Sequence, residues 1–315
     1  AMQRAKDDGC NITRFFHPGM QELVDRRFAI EQDLRSALVK QRLQLYFQPQ
    51  IDALGNLVGA EALLRCPDAN GDMIRMDHCI EVAESTGLIL QIGEWVLCEA
   101  CAMLEAWSKE GIASPIQHLC VNISPKQFYQ QNFVSLVKSI LSEYEINPGQ
   151  LVFEITEGFL IDSKQEAIVI MQELKSIGIG FAIDDFGTGY SSLSYLAQLP
   201  LDILKIDRAF VTGVINDSKQ AVIVETLVAM ANQLGFETIS EGVESKAELE
   251  FLLEKGCECF QGYYYSPPKP VDIFTNELRS QYQQGDRRGL LKADCQRLFN
   301  YRVRTGLPLS ADVLY

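Results

Sequence analysis

From about residue 43 onward, short runs of apolar, β-branched or aromatic residues alternate with longer stretches whose apolar positions recur every three or four residues. That is the pattern of strands alternating with helices. Eight runs predict strands: LQLYFQP near residue 45, LVGAEALLR near 60, LCVNIS near 121, LVFEIT near 153, GFAIDDF near 183, DILKID near 204, FETISEG near 239 and CECFQGYYY near 260. The stretches between them predict helices over IEVAESTGLILQIGEWVLCEACAMLEAW, PKQFYQQNFVSLVKSILSEY, KQEAIVIMQELKSIG, KQAVIVETLVAMANQLG and KAELEFLLEKG. Three of these close on glycine, as helix C-termini commonly do. Eight strands in such an alternation predict an α/β fold, a TIM-like (β/α)8 barrel. Upstream, Met20, Leu23, Val24, Phe28, Ile30, Leu34 and Leu38 recur at largely helical spacing and predict an amphipathic connecting helix over 21–42. The alternation stops at Thr275, and 275–315 reads as a C-terminal extension with seven basic residues against four acidic.

Composition narrows the partners. The chain has 315 residues, 47% of them hydrophobic, enough for a sizeable core, and no uninterrupted apolar stretch of the ~18 residues a membrane span needs. A net charge of −14 repels a nucleic-acid backbone, so neither DNA nor RNA is expected as a partner, and no membrane contact is expected from this chain. Nine cysteines, an odd number scattered without a framework spacing, predict free thiols in a reducing compartment, with the cytoplasm as the expected location. Cys98 and Cys101 form a C-x-x-C, but both fall in a helical pattern, where this spacing puts two small apolar side chains on one face. They are read as core residues and not as a zinc or redox pair.

The chemistry concentrates where the strands end. Active sites of such barrels lie at the carboxyl ends of the strands. There the sequence places Glu61, Asn122, Glu154, Asp184 with Asp185, Lys205, Glu241 and Gln261. Each terminates or interrupts a run read as buried strand, where unpaired carboxylates are rare. Five carboxylates gathered at one barrel mouth would repel each other and protonate unless cations neutralise them. Oxygen-only donors favour Mg²⁺ or Mn²⁺ over zinc, and the adjacent Asp184 and Asp185 suit a pair of ions for in-line phosphoryl displacement. Lys205 should stay protonated among acids, which suits it to orienting a water and stabilising phosphate charge; a structural lysine paired with Asp184 or Glu241 is the alternative. The loop DDFGTGYSSLSYL adds Gly187 and Gly189, by themselves a weak phosphate-binding signal.

The ordered motifs GAEALLR, VNIS, FEITE, DDFGTGYSSL, LKID, EGVE and QGYYYSPP resemble those of the EAL phosphodiesterases, which hydrolyse cyclic di-GMP to linear pGpG. The resemblance covers 43–274. The opening AMQRAKDDGCN is similar to the closing helix of a GGDEF diguanylate cyclase, so 1–20 is read as its remnant and the parent as a tandem GGDEF-EAL protein with sensory domains. By resemblance, Glu61, Asn122, Glu154 and Asp184 hold a first metal, and Asp185 completes a second site with Asp184, close to Glu241. Lys205 contacts the attacking water, making Glu61, Asp185, Lys205 and Glu241 the catalytic group. Glu157 steadies the DDFGTGYSSL loop, while Gln48, Leu64, Arg65, Asp207 and Gln261 contact substrate. Cys66, Met76, Cys79 and Ser240 depart from the family's usual tryptophan, proline, phenylalanine and alanine.

The resemblance implies Mg²⁺ or Mn²⁺ as cofactor, with Ca²⁺ expected to inhibit, and a bacterial cytoplasmic location. It also implies a homodimer, and the segment from Asp184 to Leu196 is expected to couple the dimer contact to catalysis through Leu193, Tyr195 and Leu196. The alternative from the same family is a non-catalytic cyclic di-GMP receptor or interaction module. From the residues without the family, an enolase-type lyase is the competitor.

Overall fold

The computed structural model describes residues 18–68, 71–160, 164–187 and 196–283. Most of the expected GGDEF remnant, the loop residues Gly189, Leu193 and Tyr195, and the extension beyond 283 lie outside the described residues.

The chain divides into two compact units, one of residues 1–44 and 64–92, the other of 45–63 and 93–315. The first is built on helix α1 (Pro18–Val39), which opens three residues before the expected connecting helix and stops three residues short of its end. It buries Ile30, Leu34 and Ala37 and packs on α2 (Met76–Thr86). The Arg42 guanidinium ties down the start of the following segment by donating to the carbonyls of Pro67 and Asp68. Cys66 and Cys79 are both buried in this unit.

The second unit is the barrel. Its strands are β1 (Gln44–Asp52), β2 (Leu57–Arg65), β3 (His118–Asn122), β4 (Leu151–Thr156), β5 (Gly180–Phe186), β6 (Ile203–Ile206), β7 (Glu237–Ser240) and β8 (Cys259–Phe260). They run in the order β2-β3-β4-β5-β6-β7-β8-β1, and β1 also pairs with β2, which closes the ring. All eight predicted strands are present. The pairings from β2 through β8 are parallel, but β1 runs antiparallel to β8. The fold is thus a closed eight-stranded α/β barrel of TIM-like form with one reversed strand. The turn after β1 is held by the Asp52 carboxylate, which accepts from the amides of Leu54 and Asn56, and by Gly55, whose φ of 83° suits glycine. A short ninth strand, β9 (Lys269–Pro270), pairs with β1.

Two predicted helices are broken. The stretch 80–107 splits at Gly87 (φ 80°), which caps α2 in the left-handed region before α3 (Ile89–Lys109) begins. The stretch 125–144 splits into α4 (Pro125–Phe128) and α5 (Phe133–Glu143). Then come α6 (Lys164–Lys175), α7 (Arg208–Val211), α8 (Ser218–Leu234), α9 (Lys246–Lys255) and α10 (Val271–Gln283). The expected boundary at 274/275 falls inside α10: Phe274 stacks on Phe47 and packs at a tilt against Trp107, and Trp107 Nε1 donates to Thr275 Oγ1 at 2.9 Å. Cys98 and Cys101 sit in α3 as free thiols; burial pushes the Cys101 thiol up to about 12, which keeps it inert.

The strand period of two sets the interior layers. Cys120, Val152, Ala182, Ile203, Ile239 and Cys259 form one apolar cluster. Two residues further along the same strands stand Asn122, Glu154, Asp184, Lys205, Glu241 and Gln261. Because these strands are parallel, one step of the pleat lifts all six to the same end.

Candidate active site

Lys205 occupies the centre of this polar layer. Its ammonium lies 2.6 Å from Glu241 Oε1, 2.8 Å from Glu154 Oε1, 3.4 Å from Asp184 Oδ1 and 3.7 Å from Glu61 Oε2. Side chain and ammonium are fully buried. Burial disfavours the charged lysine, but Glu154, Glu241, Glu61 and Asp184 outweigh it and hold the group well above its ordinary value. One cation cannot neutralise four carboxylates, and the remainder is settled unequally. Glu154 is pushed well up by burial and by Glu61, and Glu241 rises to about 8 from burial and from Asp184 and Glu61, against the pull of Lys205. Glu61 is also buried, yet Lys205 and hydrogen bonds from Gln261 and Asn122 bring it below the usual carboxylate range. Asn122 Nδ2 donates to Glu61 Oε1 at 2.7 Å and Gln261 Nε2 to Glu61 Oε2 at 2.6 Å, so each carboxylate oxygen has its own donor.

The adjacent acids at the end of β5 need a break in the strand, since strict alternation would send Asp184 and Asp185 to opposite faces. The break is a bulge: Ile183 pairs with Leu204 and Phe186 with Ile206, with Asp185 in the left-handed region at φ 52°. Asp185 hydrogen-bonds Asp207, and burial, Asp184 and Asp207 raise its carboxyl to about 6. The bulge is pinned by Glu157, whose Oε2 accepts from the Gly187 amide at 3.0 Å. A side chain on Gly187 (φ 96°) would meet the Phe210 ring at 3.0 Å.

Of the residues expected at the site, Gln48, Glu61, Asn122, Glu154, Glu157, Asp184, Asp185, Lys205, Asp207, Glu241 and Gln261 all belong to the barrel unit. Leu64 and Arg65, the last two residues of β2, belong to the other unit. Leu196, at the far end of the expected coupling segment, is buried and not exposed for a partner. Sequence reasoning missed Gln50 and His118. Gln50 lies on the same strand face as Gln48, and His118 lies two residues before the interior Cys120, so period two was the signal that could have found them.

The donor set is all oxygen, as a hard divalent cation requires. Both oxygens of Glu154 are buried without a hydrogen-bond donor, although Lys205 lies at ion-pair distance. Among the described residues no three His, Cys, Asp or Glu side chains are gathered at metal-binding spacing; the carboxylates are spread around the ammonium of Lys205 instead. The residues therefore fit a divalent cation in kind.

The EAL domain model matches residues 31–268. The bifunctional diguanylate cyclase/cyclic di-GMP phosphodiesterase MucR of Pseudomonas aeruginosa is 40% identical over 273 residues, 86% of this chain and 40% of its own length. The cyclic di-GMP phosphodiesterase PdeR of Escherichia coli is 33% identical over 274 residues, 87% of this chain and 41% of its own. The chain thus spans about two fifths of the length of these relatives. Among solved structures, the PaMucR phosphodiesterase in complex with c-di-GMP superposes with a TM-score of 0.74 at 39% identity, covering 78% of this chain and 99% of that one. No described helix is long and apolar enough to cross a membrane. The chain belongs to the EAL domain family.

Proposed function

We propose that this chain hydrolyses cyclic di-GMP to linear pGpG with two divalent cations, Mg²⁺ or Mn²⁺. The observation that carries the reading is the ring of carboxylates around one buried lysine at the carboxyl end of an EAL barrel. Glu61, Asn122, Glu154 and Asp184 would hold one ion, and Asp185 with Asp184 and Glu241 the other. Bound there, the cations would supply a water of lowered pKa and neutralise charge on the phosphate. Lys205 is held protonated, so it acts as a hydrogen-bond donor that orients the water and stabilises phosphate charge; it is not the base. Water gives up one proton as its oxygen bonds to phosphorus and the P–O3′ bond breaks, and the departing O3′ takes up one proton, so OH and H are added across the bond. One such opening of the ring gives linear pGpG.

Glu157 keeps Asp184 and Asp185 in register through Gly187. Gln48, Leu64, Arg65 and Asp207 are assigned to substrate, Arg65 by a planar fork suited to phosphate. Gln261 spends both amide hydrogens on Glu61 and Gln48, which makes it a positioning group for Glu61. We assign the chain to a bacterial cytoplasmic tandem GGDEF-EAL protein with sensory domains, acting as a homodimer through the EAL domain. Residues 1–20 would be the GGDEF remnant, 21–42 the connection and 43–274 the catalytic barrel.

Incubation of the purified chain with cyclic di-GMP and Mg²⁺, Mn²⁺ or Ca²⁺ tests the reading. Turnover is expected with the first two and little with Ca²⁺, whose looser and longer coordination misplaces the water. Full activity in excess EDTA overturns it, and binding without turnover identifies a receptor.

A further inference from the structure

Beneath the carboxylate layer a chain of buried hydrogen bonds runs on from Gln261 to two residues, Gln50 and His118, that the proposed chemistry does not use. His118 Nε2 lies 2.8 Å from Gln50 Oε1, Gln50 Nε2 donates to Gln261 Oε1 at 2.8 Å, and Gln261 Nε2 donates to Glu61 Oε2 at 2.6 Å. All four residues are buried. Room for the lower end is made by Gly59, which pairs with His118 in the parallel register: a Cβ there would stand 2.4 Å from His118 Nε2 and 2.8 Å from Gln50 Oε1.

We propose that Gln50 and His118 are positioning residues, a one-way relay that fixes the amide of Gln261 and through it the carboxylate of Glu61. The direction follows from donor and acceptor capacity. Glu61 accepts at both of its oxygens, from Asn122 Nδ2 and Gln261 Nε2, so Gln261 turns its NH₂ toward it and its carbonyl toward Gln50. Gln50 must then turn its own NH₂ toward Gln261 and its carbonyl toward His118. The histidine can satisfy that carbonyl only with a proton on Nε2, so the ring is the neutral Nε2–H tautomer. Burial agrees, since it pushes the imidazole down to about 4 and keeps it uncharged at neutral pH. The Cys120 sulfur lies within 3.8 Å of Gln50 Nε2 and Oε1. A flip of Gln261 would set a carbonyl oxygen against the Glu61 carboxylate, and a flip of Gln50 would set its carbonyl against that of Gln261. The relay thus holds Glu61 ready for a cation while leaving it no freedom to turn.

The effect on metal rests on the function proposed above; the tautomer does not, which separates the two tests. In metal-free protein, ¹⁵N spectra of the imidazoles, with His118 assigned by its loss in His118→Gln, should show the neutral Nε2–H form from pH 6 to 8. An Nδ1–H tautomer or an imidazolium at pH 7 overturns the relay whether or not the protein is active. Gln50→Met keeps the volume and removes both bonds, and Gln50→Glu keeps the acceptor toward His118 but loses the donor toward Gln261. Calorimetric Mg²⁺ affinity should fall roughly 10–100-fold in both, the range for groups that orient metal ligands. Gln50→Glu alone should retain the His118 tautomer. Wild-type Mg²⁺ affinity in folded Gln50→Met overturns the proposal, and if that variant does not fold the tautomer decides alone.

Discussion

Replacing Lys205 by methionine keeps the bulk and removes a cation that lies within 3.7 Å of four carboxylates. Taking one partner from a buried ion pair costs about 3–5 kcal/mol, because the charges left behind are neither paired nor hydrated. The carboxylates relieve part of this by protonating, so the loss depends on pH. Lys205 itself adds no slope: its raised value lies above the ordinary lysine range, so its contribution is fully present throughout pH 5 to 8. The acids supply the slope. Glu154 and Glu241 are already raised in the wild type and rise further without the ammonium, so the folded variant holds protons that the unfolded chain releases. Stability then falls as pH rises above the unfolded carboxylate value. For a domain of this size each kcal/mol moves Tm by about 2–4 °C, so Lys205→Met should melt roughly 6–20 °C below wild type at pH 8 in EDTA. The gap should narrow at pH 5 and narrow again at pH 8 in saturating Mg²⁺. Circular dichroism melts at both pH values, with EDTA and with Mg²⁺, read this directly. A variant within 2 °C of wild type at pH 8 in EDTA refutes the reasoning, as does a deficit that is the same at pH 5.

Glu154→Gln, by removing a carboxylate that burial and Glu61 push well up, should leave Tm in EDTA equal to wild type or higher while abolishing both hydrolysis and stabilisation by Mg²⁺ in the same melts. Cations compete with protons at Asp185 (about 6) and Glu241 (about 8), so Mg²⁺ affinity measured by calorimetry should climb from pH 5.5 to 8.5, and a flat profile contradicts the ligand assignment. In metal-free wild type the same raised carboxyls make stability fall from about pH 4.5 toward pH 8, visible as a declining Tm. Glu157→Gln keeps a hydrogen-bond acceptor for Gly187 and should stay within a few-fold of wild-type kcat, whereas Glu157→Ala should lose about 10–100-fold with a matching loss of Mg²⁺ affinity.

What was legible in the sequence follows from how parallel barrels are built. A strand buried on both faces reads as an apolar run, and a polar residue at its end stands out, as with Glu154 in LVFEIT and Lys205 in DILKID. The reversed direction of β1 was not read, although Asp52 and Gly55 in a four-residue connection carry the signature of a hairpin turn. Gly87 looked like an interior helix glycine because the apolar periodicity runs through it; in the structure it takes the left-handed conformation (φ 80°) that caps and ends α2. The alliance of Asp185 with Asp207 depends on the bulge at the end of β5, a departure from period two that no hydropathy pattern records. Gln50 and His118 stayed hidden because polar residues inside a strand draw notice only when the register joining them is known.

The central claim is that water opens the cyclic dinucleotide under the control of cations held by Glu61, Asn122, Glu154, Asp184, Asp185 and Glu241. It is tested most directly by turnover of cyclic di-GMP in ¹⁸O-labelled water, with the products weighed by mass spectrometry. The account predicts linear pGpG carrying a single ¹⁸O in its 5′-phosphate when Mg²⁺ or Mn²⁺ is present, and unchanged substrate in EDTA. Cyclic di-GMP recovered intact from a bound complex in Mg²⁺ and in Mn²⁺, or label found anywhere but that phosphate, would contradict it.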